Sequence, residues 1–258
     1  MTLVMGIVNV TPDSFSDGGQ WFDHGRAIAH ARTLVQQGAT IVDVGGESTR
    51  PGAGRVDADE EQRRVLPVVE ALAADGVCVS VDTMRASTAR VVHEAGARII
   101  NDVSGGLADP EMLPTVARLG CDVVLQHWRG HSTVMQSLAT YDDVRAEVLG
   151  ETLARRDEAV AAGVDPARII IDPGLGFAKE AHDNWDLLQD LDAWQATGQR
   201  VLVGASRKRL LSAAGDRDVA TAAVTAWCAA HDVWAVRTHE VPMQCDAVLV
   251  GAHLFGRR

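Results

Sequence analysis

The sequence predicts a single (β/α)8 barrel over residues 1–258, with long loops after its first two strands. Three observations carry this expectation. Eight short apolar, β-branched runs recur along the chain, stretches with helical spacing separate most of them, and every run ends in polar or turn-forming residues. Continuously apolar strands alternating with amphipathic helices indicate parallel strands covered on both faces. Eight such units in ~250 residues match a closed barrel. A doubly wound open sheet would show a glycine-rich dinucleotide turn after its first strand, and none is present.

Taken in order, the strand runs are Gly6 to Val8, Ile41 to Val44, Val77 to Val81, Ile99-Ile100, Val123 to Leu125, Ile169 to Ile171, Val201 to Val203 and Ala235-Val236. Helical spacing is predicted over Ala27 to Gln37, Glu60 to Ala74, Thr88 to Ala95, Ala146 to Ala162, Trp185 to Trp194 and Ala220 to Ala230. Gly38, Gly76, Gly96, Gly163 and Gly198 stand where a helix is expected to have just ended, a position that favours glycine.

The bulk numbers restrict function. With 24 basic and 35 acidic residues the net charge is −11, which argues against nonspecific nucleic-acid binding and against docking on an anionic membrane. An anionic ligand must then meet a local basic cluster. Cys78, Cys121, Cys228 and Cys245 are widely spaced, so neither a zinc site nor a disulfide framework is expected. No window reaches the ~18 apolar residues of a membrane span, and Met1 leads into the first run without a charged leader. These features together point to a cytoplasmic enzyme.

In such a barrel, ligand groups come from the carboxyl ends of the strands. The first run ends in Asn9-Val-Thr-Pro-Asp-Ser-Phe-Ser-Asp-Gly-Gly19 and the second in Asp43-Val-Gly-Gly-Glu-Ser-Thr-Arg-Pro-Gly-Ala53. Next come Asp82-Thr-Met-Arg85, Asn101-Asp-Val-Ser-Gly-Gly106 and Gln126-His-Trp-Arg129. The last three are Asp172-Pro-Gly-Leu-Gly-Phe-Ala-Lys179, Gly204-Ala-Ser-Arg-Lys-Arg209 and Arg237-Thr-His-Glu240. Asp82, Asn101 and Asp172 offer acceptors suited to a planar heterocycle with amino and ring N–H donors. Asn9, Arg50, Lys208, Arg237 and His239 offer donors and positive charge suited to phosphate or pyrophosphate. Ser206 to Arg209 is expected to open a helix whose dipole adds to three cations.

These motifs, in this order and over nearly the whole chain, resemble the dihydropteroate synthases, the folate-pathway target of sulfonamides. The resemblance rests on Met5 to Gly19, Ile41 to Gly52, Ser80 to Arg85, Ile100 to Gly106, Asp172 to Phe177 and Gly204 to Arg209. It implies condensation of 6-hydroxymethyl-7,8-dihydropterin diphosphate with p-aminobenzoate, giving dihydropteroate and pyrophosphate. By motif position it implies that Asp82, Asn101, Asp172 and Lys208 bind the pterin, with Phe177 nearby. Asn9 would hold Mg²⁺ on the diphosphate, with Arg237 and His239 gripping the leaving group. Two mobile loops would supply Asp13, Phe15 and Asp17, and Thr49, Arg50 and Pro51, around p-aminobenzoate. The family further implies a homodimer, and a patch on the final helices that includes Trp227 is the expected interface.

Three positions depart from the family pattern. Gln126 stands where many members have methionine, Arg209 where some have serine, and Glu240 where aspartate often follows the histidine. Arg209 is expected to be positional or to face solvent. For Asp43 and Asp102 the expected role is capping of the following helix, for Arg85 pairing with a nearby carboxylate, and for Arg63-Arg64 solvated charge. His127 is expected as pocket wall or structural residue, and the histidines outside the motifs as surface or packing residues without partners. Two other readings stand beside the synthase: a pterin-binding methyltransferase domain, which has no use for a diphosphate clamp, and a noncatalytic pterin-binding homologue.

Overall fold

The computed structural model describes residues 1–11, 24–48 and 54–255. Eight parallel strands, β1 (Leu3–Asn9), β2 (Ile41–Gly45), β3 (Val79–Asp82), β4 (Ile99–Asp102), β5 (Asp122–Gln126), β6 (Ile169–Asp172), β7 (Arg200–Val203) and β8 (Ala235–Thr238), close in sequential order into a barrel. Around it lie α1 (His24–Gln36), α2 (Ala58–Ala74), α3 (Ala86–Glu94), α4 (Met112–Leu119), α5 (Val144–Ala161), α6 (Ala181–Gln189), α7 (Leu191–Ala196), α8 (Arg217–Ala230) and α9 (Pro242–Phe255). The expected barrel is therefore observed.

Element boundaries differ from the apolar runs in an instructive way. Most of the strands run on to include the polar residue after the run, because main-chain pairing in the barrel does not depend on side-chain polarity: Asp82 pairs in register with Asn101, and Gln126 with Asp172. Several helices begin earlier than their spacing suggests, since an aspartate caps the first turn. Asp57 accepts from Glu60 N at 2.8 Å, Asp143 from Arg145 N at 3.1 Å, and Asp216 from Asp218 N at 2.8 Å. The expected Trp185 to Trp194 helix is two helices, interrupted at Asp190 with φ −109° and ψ 28°. Helices α4 and α9 were not anticipated. The first is amphipathic but only eight residues long, and the second is apolar along most of its length and shows no clear polar face. The five glycines expected past helix ends all have positive φ.

The barrel interior is built in layers by the two-residue period of the strands. One apolar layer comprises Met5, Ile41, Ile99, Val124, Ile170, Leu202 and Ala235. Two residues further along, the same faces carry Ile7, Asp43, Asn101, Gln126, Asp172, Gly204 and Arg237. Alternation thus converts an apolar floor into a polar mouth within one strand repeat. The opposite faces, with Val8, Val42, Val44, Val81 and Ile171, pack against the helices in the main core, where Trp194 is the largest fully buried side chain.

Helices α8 and α9 approach most closely at Gly251, where an added Cβ would stand 2.2 Å from the Ala226 carbonyl oxygen. The chain needs glycine there because the backbones touch. Gly251→Ala is expected to destabilise the protein by about 1–3 kcal/mol, the usual cost of overpacking. A urea titration should show a lower midpoint with an unchanged slope; an unchanged midpoint would mean that the two helices can separate freely.

Candidate functional site

The polar ends of the strands meet at one mouth of the barrel. At its centre Arg237 of β8 donates from Nε to Asp43 Oδ2 of β2 at 2.6 Å and from Nη2 to Asp82 Oδ2 of β3 at 2.9 Å. Asn101 of β4 adds a donation from Nδ2 to the same Asp43 oxygen at 3.2 Å. Burial would lower the Arg237 pKa, but Asp43 and Asp82 outweigh it and the net direction is upward. Asp82 is pushed up from 3.8 to about 7, first by burial, with Arg237 pulling it back and Asp43 adding repulsion.

This arrangement corrects the reading of Asp43. It caps no helix: it lies inside β2, two residues after Ile41, and holds the Arg237 guanidinium. Its other oxygen, Oδ1, is buried without a hydrogen-bond partner among the described residues. Asp102 caps no helix either, since the next one begins at Met112; it closes the turn that follows β4, where Oδ1 accepts from Ser104 N at 2.8 Å and from its hydroxyl at 2.6 Å, and Oδ2 from Gly106 N at 2.7 Å.

Asp172 closes the opposite side. Its Oδ1 accepts from Gly174 N at 2.7 Å, and burial raises its pKa against the pull of Lys208 first and Arg237 and Lys179 after it. Gly174 has φ +64°, and a Cβ there would lie 2.4 Å from the His127 carbonyl oxygen, so only glycine fits this turn. Lys208 reaches over the turn: Nζ donates to the Leu175 carbonyl and stands 4.8 Å from the centre of the Phe177 ring. Burial lowers its pKa to about 8, with Asp172 opposing. Ser206 joins the β7 and β8 loops, its hydroxyl lying 3.0 Å from His239 Nδ1 and accepting from His239 N at 3.2 Å.

Several expectations are corrected here. The residues after β7 form only a short 3₁₀ turn, Arg209–Leu211, and α8 begins later, so no helix dipole reinforces Lys208. Arg207 turns away to pair with Asp218 at 2.8 Å, while Arg209 is 82% exposed, as anticipated. The acceptor and cation groups interlock at Arg237 instead of standing apart. Arg64 is buried and donates to the Gly46 carbonyl at 2.9 Å, so it is not solvated charge. The histidines outside the motifs have partners: His93 meets the Ala97 carbonyl, His231 that of Trp227 and His253 that of Leu249.

Arg85 pairs with Glu47 and Glu61, both at 3.0 Å, as anticipated. Glu47 in turn accepts from Arg55 Nε and Val56 N, each at 3.1 Å. Gln126 is buried and donates to the Val103 carbonyl at 3.3 Å. Asn9 stands at the end of β1, and a Cβ added at Gly45 would lie 3.8 Å from its Oδ1. Asp13, Phe15, Asp17, Thr49, Arg50 and Pro51 lie outside the described residues. The signal that could have revealed Asp43 is its spacing from Ile41, the same spacing that separates Ile99 from Asn101 and Ile170 from Asp172.

Residues 5–239 match the pterin binding enzyme family. The dihydropteroate synthase of Mycobacterium leprae (strain TN) is 52% identical over 264 residues, covering 97% of this chain and 93% of that protein. Among solved structures, the Xanthomonas albilineans dihydropteroate synthase with 4-aminobenzoic acid superposes with TM-score 0.91 at 40% identity, covering 100% of this chain and 94% of that one. The same enzyme in complex with 7,8-dihydropteroate gives 0.88 at 38% identity, covering 100% and 95%. The Yersinia pestis dihydropteroate synthase with a sulfonamide drug complex gives 0.92 at 37%, covering 98% and 94%.

The raised pKa of Asp82 has a consequence for stability. Between its ordinary value of 3.8 and about 7 the folded chain holds a proton that the unfolded chain has released. This contribution is fully present below 3.8 and is lost as pH rises through about 7. Asp82→Asn is expected to lose less thermal stability than the native chain between about pH 5 and about pH 7.5. Parallel melting-temperature profiles for the two proteins would refute the assignment.

Proposed function

The chain belongs to the pterin-binding enzyme family, and from that premise we propose that it catalyses the dihydropteroate synthase reaction, joining 6-hydroxymethyl-7,8-dihydropterin diphosphate to p-aminobenzoate. The observation that carries this reading is the single barrel mouth where acceptors and cations face one space, with Asp82, Asn101 and Asp172 interleaved with Lys208, Arg237 and His239. A methyltransferase domain would need the first group only.

The pterin's amino and ring N–H groups suit Asp172, Asp82 and Asn101, because carboxyl and carboxamide oxygens are acceptors. Lys208 and Phe177 bracket the same position and suit the ring's polar edge and its face. Arg237 spends Nε and Nη2 on Asp43 and Asp82, and its Nη1 donors are left for the diphosphate. His239 is oriented by Ser206 to meet the same group. The carbon–oxygen bond at the pterin methylene breaks first, its electron pair leaving with pyrophosphate. The cation spreads over the pterin ring, the p-aminobenzoate nitrogen then bonds to the methylene carbon, and its proton passes to solvent. Carboxylates near the ring and cations near the leaving group stabilise both charges as they develop. The weakly nucleophilic amine requires positioning, and no covalent enzyme intermediate forms. Asp13, Phe15 and Asp17, with Thr49, Arg50 and Pro51, complete the p-aminobenzoate site in this reading.

No group of three or more His, Cys, Asp or Glu side chains capable of holding a metal is found among the described residues. A single carboxamide oxygen at Asn9 nevertheless fits Mg²⁺, which keeps most of its ligands as water and substrate phosphate. Bound there, the ion would neutralise charge on the departing pyrophosphate.

A homodimer is part of the proposal. Between α6, the 3₁₀ turn after β7 and α8 lies an apolar cleft of about 360 Å³, lined by Trp185, Leu188, Leu211, Ala223 and Trp227 among others. Trp185 and Trp227 are 41% and 40% exposed, and burial against a second copy would remove that apolar area from water. Four free cysteines support a cytoplasmic setting, and no helix among the described residues is long and apolar enough to cross a membrane.

Purified protein with pterin diphosphate, Mg²⁺ and p-aminobenzoate is expected to yield dihydropteroate and pyrophosphate, inhibited by sulfamethoxazole. Asp172→Ala is expected to abolish pterin binding, because it strands ring donors at about 1–3 kcal/mol or more. No dihydropteroate from the native chain would refute the synthase reading, and unchanged pterin affinity in the variant would refute the role of Asp172. Light scattering should give twice the chain mass of 27.5 kDa, and Trp185→Glu should return it to the monomer value; a native monomer would end the dimer proposal.

A further inference from the structure

One buried charge is unused by the chemistry above. Lys179 is only 4% exposed, yet its ammonium lies 2.8 Å from His127 Nδ1, 3.0 Å from the Phe177 carbonyl oxygen and 3.1 Å from that of Gly174. An ammonium has three N–H donors, and here three partners surround it. The match requires His127 Nδ1 to be the unprotonated nitrogen. That tautomer is set from the other side of the ring, where Nε2 lies 2.9 Å from Glu151 Oε2. An ionised carboxylate can only accept, so the ring proton belongs on Nε2. Burial lowers the His127 pKa to about 4 and keeps the ring neutral. Glu151 is in turn held by Arg129, which donates from Nε at 3.1 Å and also from Nη2.

The two carbonyls gripped by Lys179 are the ends of the Gly174–Phe177 turn, itself closed by Phe177 N donating to the Gly174 oxygen at 3.0 Å. Gly174 supplies the N–H that orients Asp172, and Phe177 supplies the ring beneath Lys208. Tyr141 fastens the next residue by donating to the Ala178 carbonyl at 2.7 Å.

We infer that Lys179 is a positioning residue for the pterin cradle, holding the 174–177 turn so that Asp172 and Phe177 face the substrate, with His127 and Glu151 fixing the direction of its third N–H. This rests on the pterin reading of the site. The charge also acts on Asp172 directly, since it helps Lys208 and Arg237 oppose the effect of burial there. Burial lowers Lys179 itself to about 7, with Asp172 and Glu151 raising it and Lys208 and Arg129 lowering it further. The network therefore runs from a carboxylate at the protein surface to the back of the substrate site.

The test begins with turnover by the native chain, so that failure of the synthase reading is visible separately. Lys179→Met keeps the volume and removes all three bonds. Its KM for pterin diphosphate is expected to rise about tenfold or more, the scale of losing one charged hydrogen bond, with the KM for p-aminobenzoate within about twofold. A variant with lower thermal stability but native KM values, or with both KM values raised equally, would overturn the inference. If Lys179→Met does not fold, Glu151→Gln at the surface is expected to raise the pterin KM about threefold, the low end for one weakened hydrogen bond, with p-aminobenzoate again unaffected, and a native pterin KM there would overturn it.

Discussion

A guanidinium held between two carboxylates sets the mouth of this barrel. Arg237 on β8 reaches past its neighbouring strand to Asp43 on β2 and Asp82 on β3, binding strands that share no main-chain pairing with its own. None of the three could be buried singly at tolerable cost, because a buried unpaired charge loses its hydration without compensation. Together they permit two carboxylates to stand a few ångströms apart at the top of an apolar interior. Asn101 is oriented by the same cluster through Asp43, so the acceptor side of the site depends on it.

The other side depends on a turn instead of an ion pair. The backbone from Asp172 to Lys179 packs on His127, and it is secured from within by Lys179 and from the flank by Tyr141. Both solutions place polar groups over a closed hydrophobic layer, where the local dielectric strengthens each interaction. The net charge of −11 does not disfavour an anion here, since exposed charges more than ~8 Å away are largely screened at physiological salt, and Lys208, Arg237 and His239 are local.

Glu47 performs a related task at the second loop. It draws Arg55 and the Val56 backbone to the end of β2 while Arg85 bridges it to Glu61, so the chain leaves and rejoins the barrel at a fixed separation. The motif that carries Glu47 thus anchors the loop to the barrel.

The barrel, the order of its strands and most of the polar strand ends were legible in the sequence, because strand burial on both faces writes itself as short apolar runs and the βα ends as sudden polarity. Period-two spacing also places Asp43, Asn101 and Asp172 on inward faces, two residues beyond Ile41, Ile99 and Ile170. Pairings were not legible. Whether Asp43 caps a helix or holds Arg237, whether Arg64 is solvated or buried, and whether Ser206 to Arg209 opens a helix or a single turn depend on residues as many as 194 positions distant. The same is true of the histidine ring that receives Lys179. Local patterning decides which groups face inward; closure of the barrel alone decides which of them meet, since distances across its mouth exist only once all eight strands are joined.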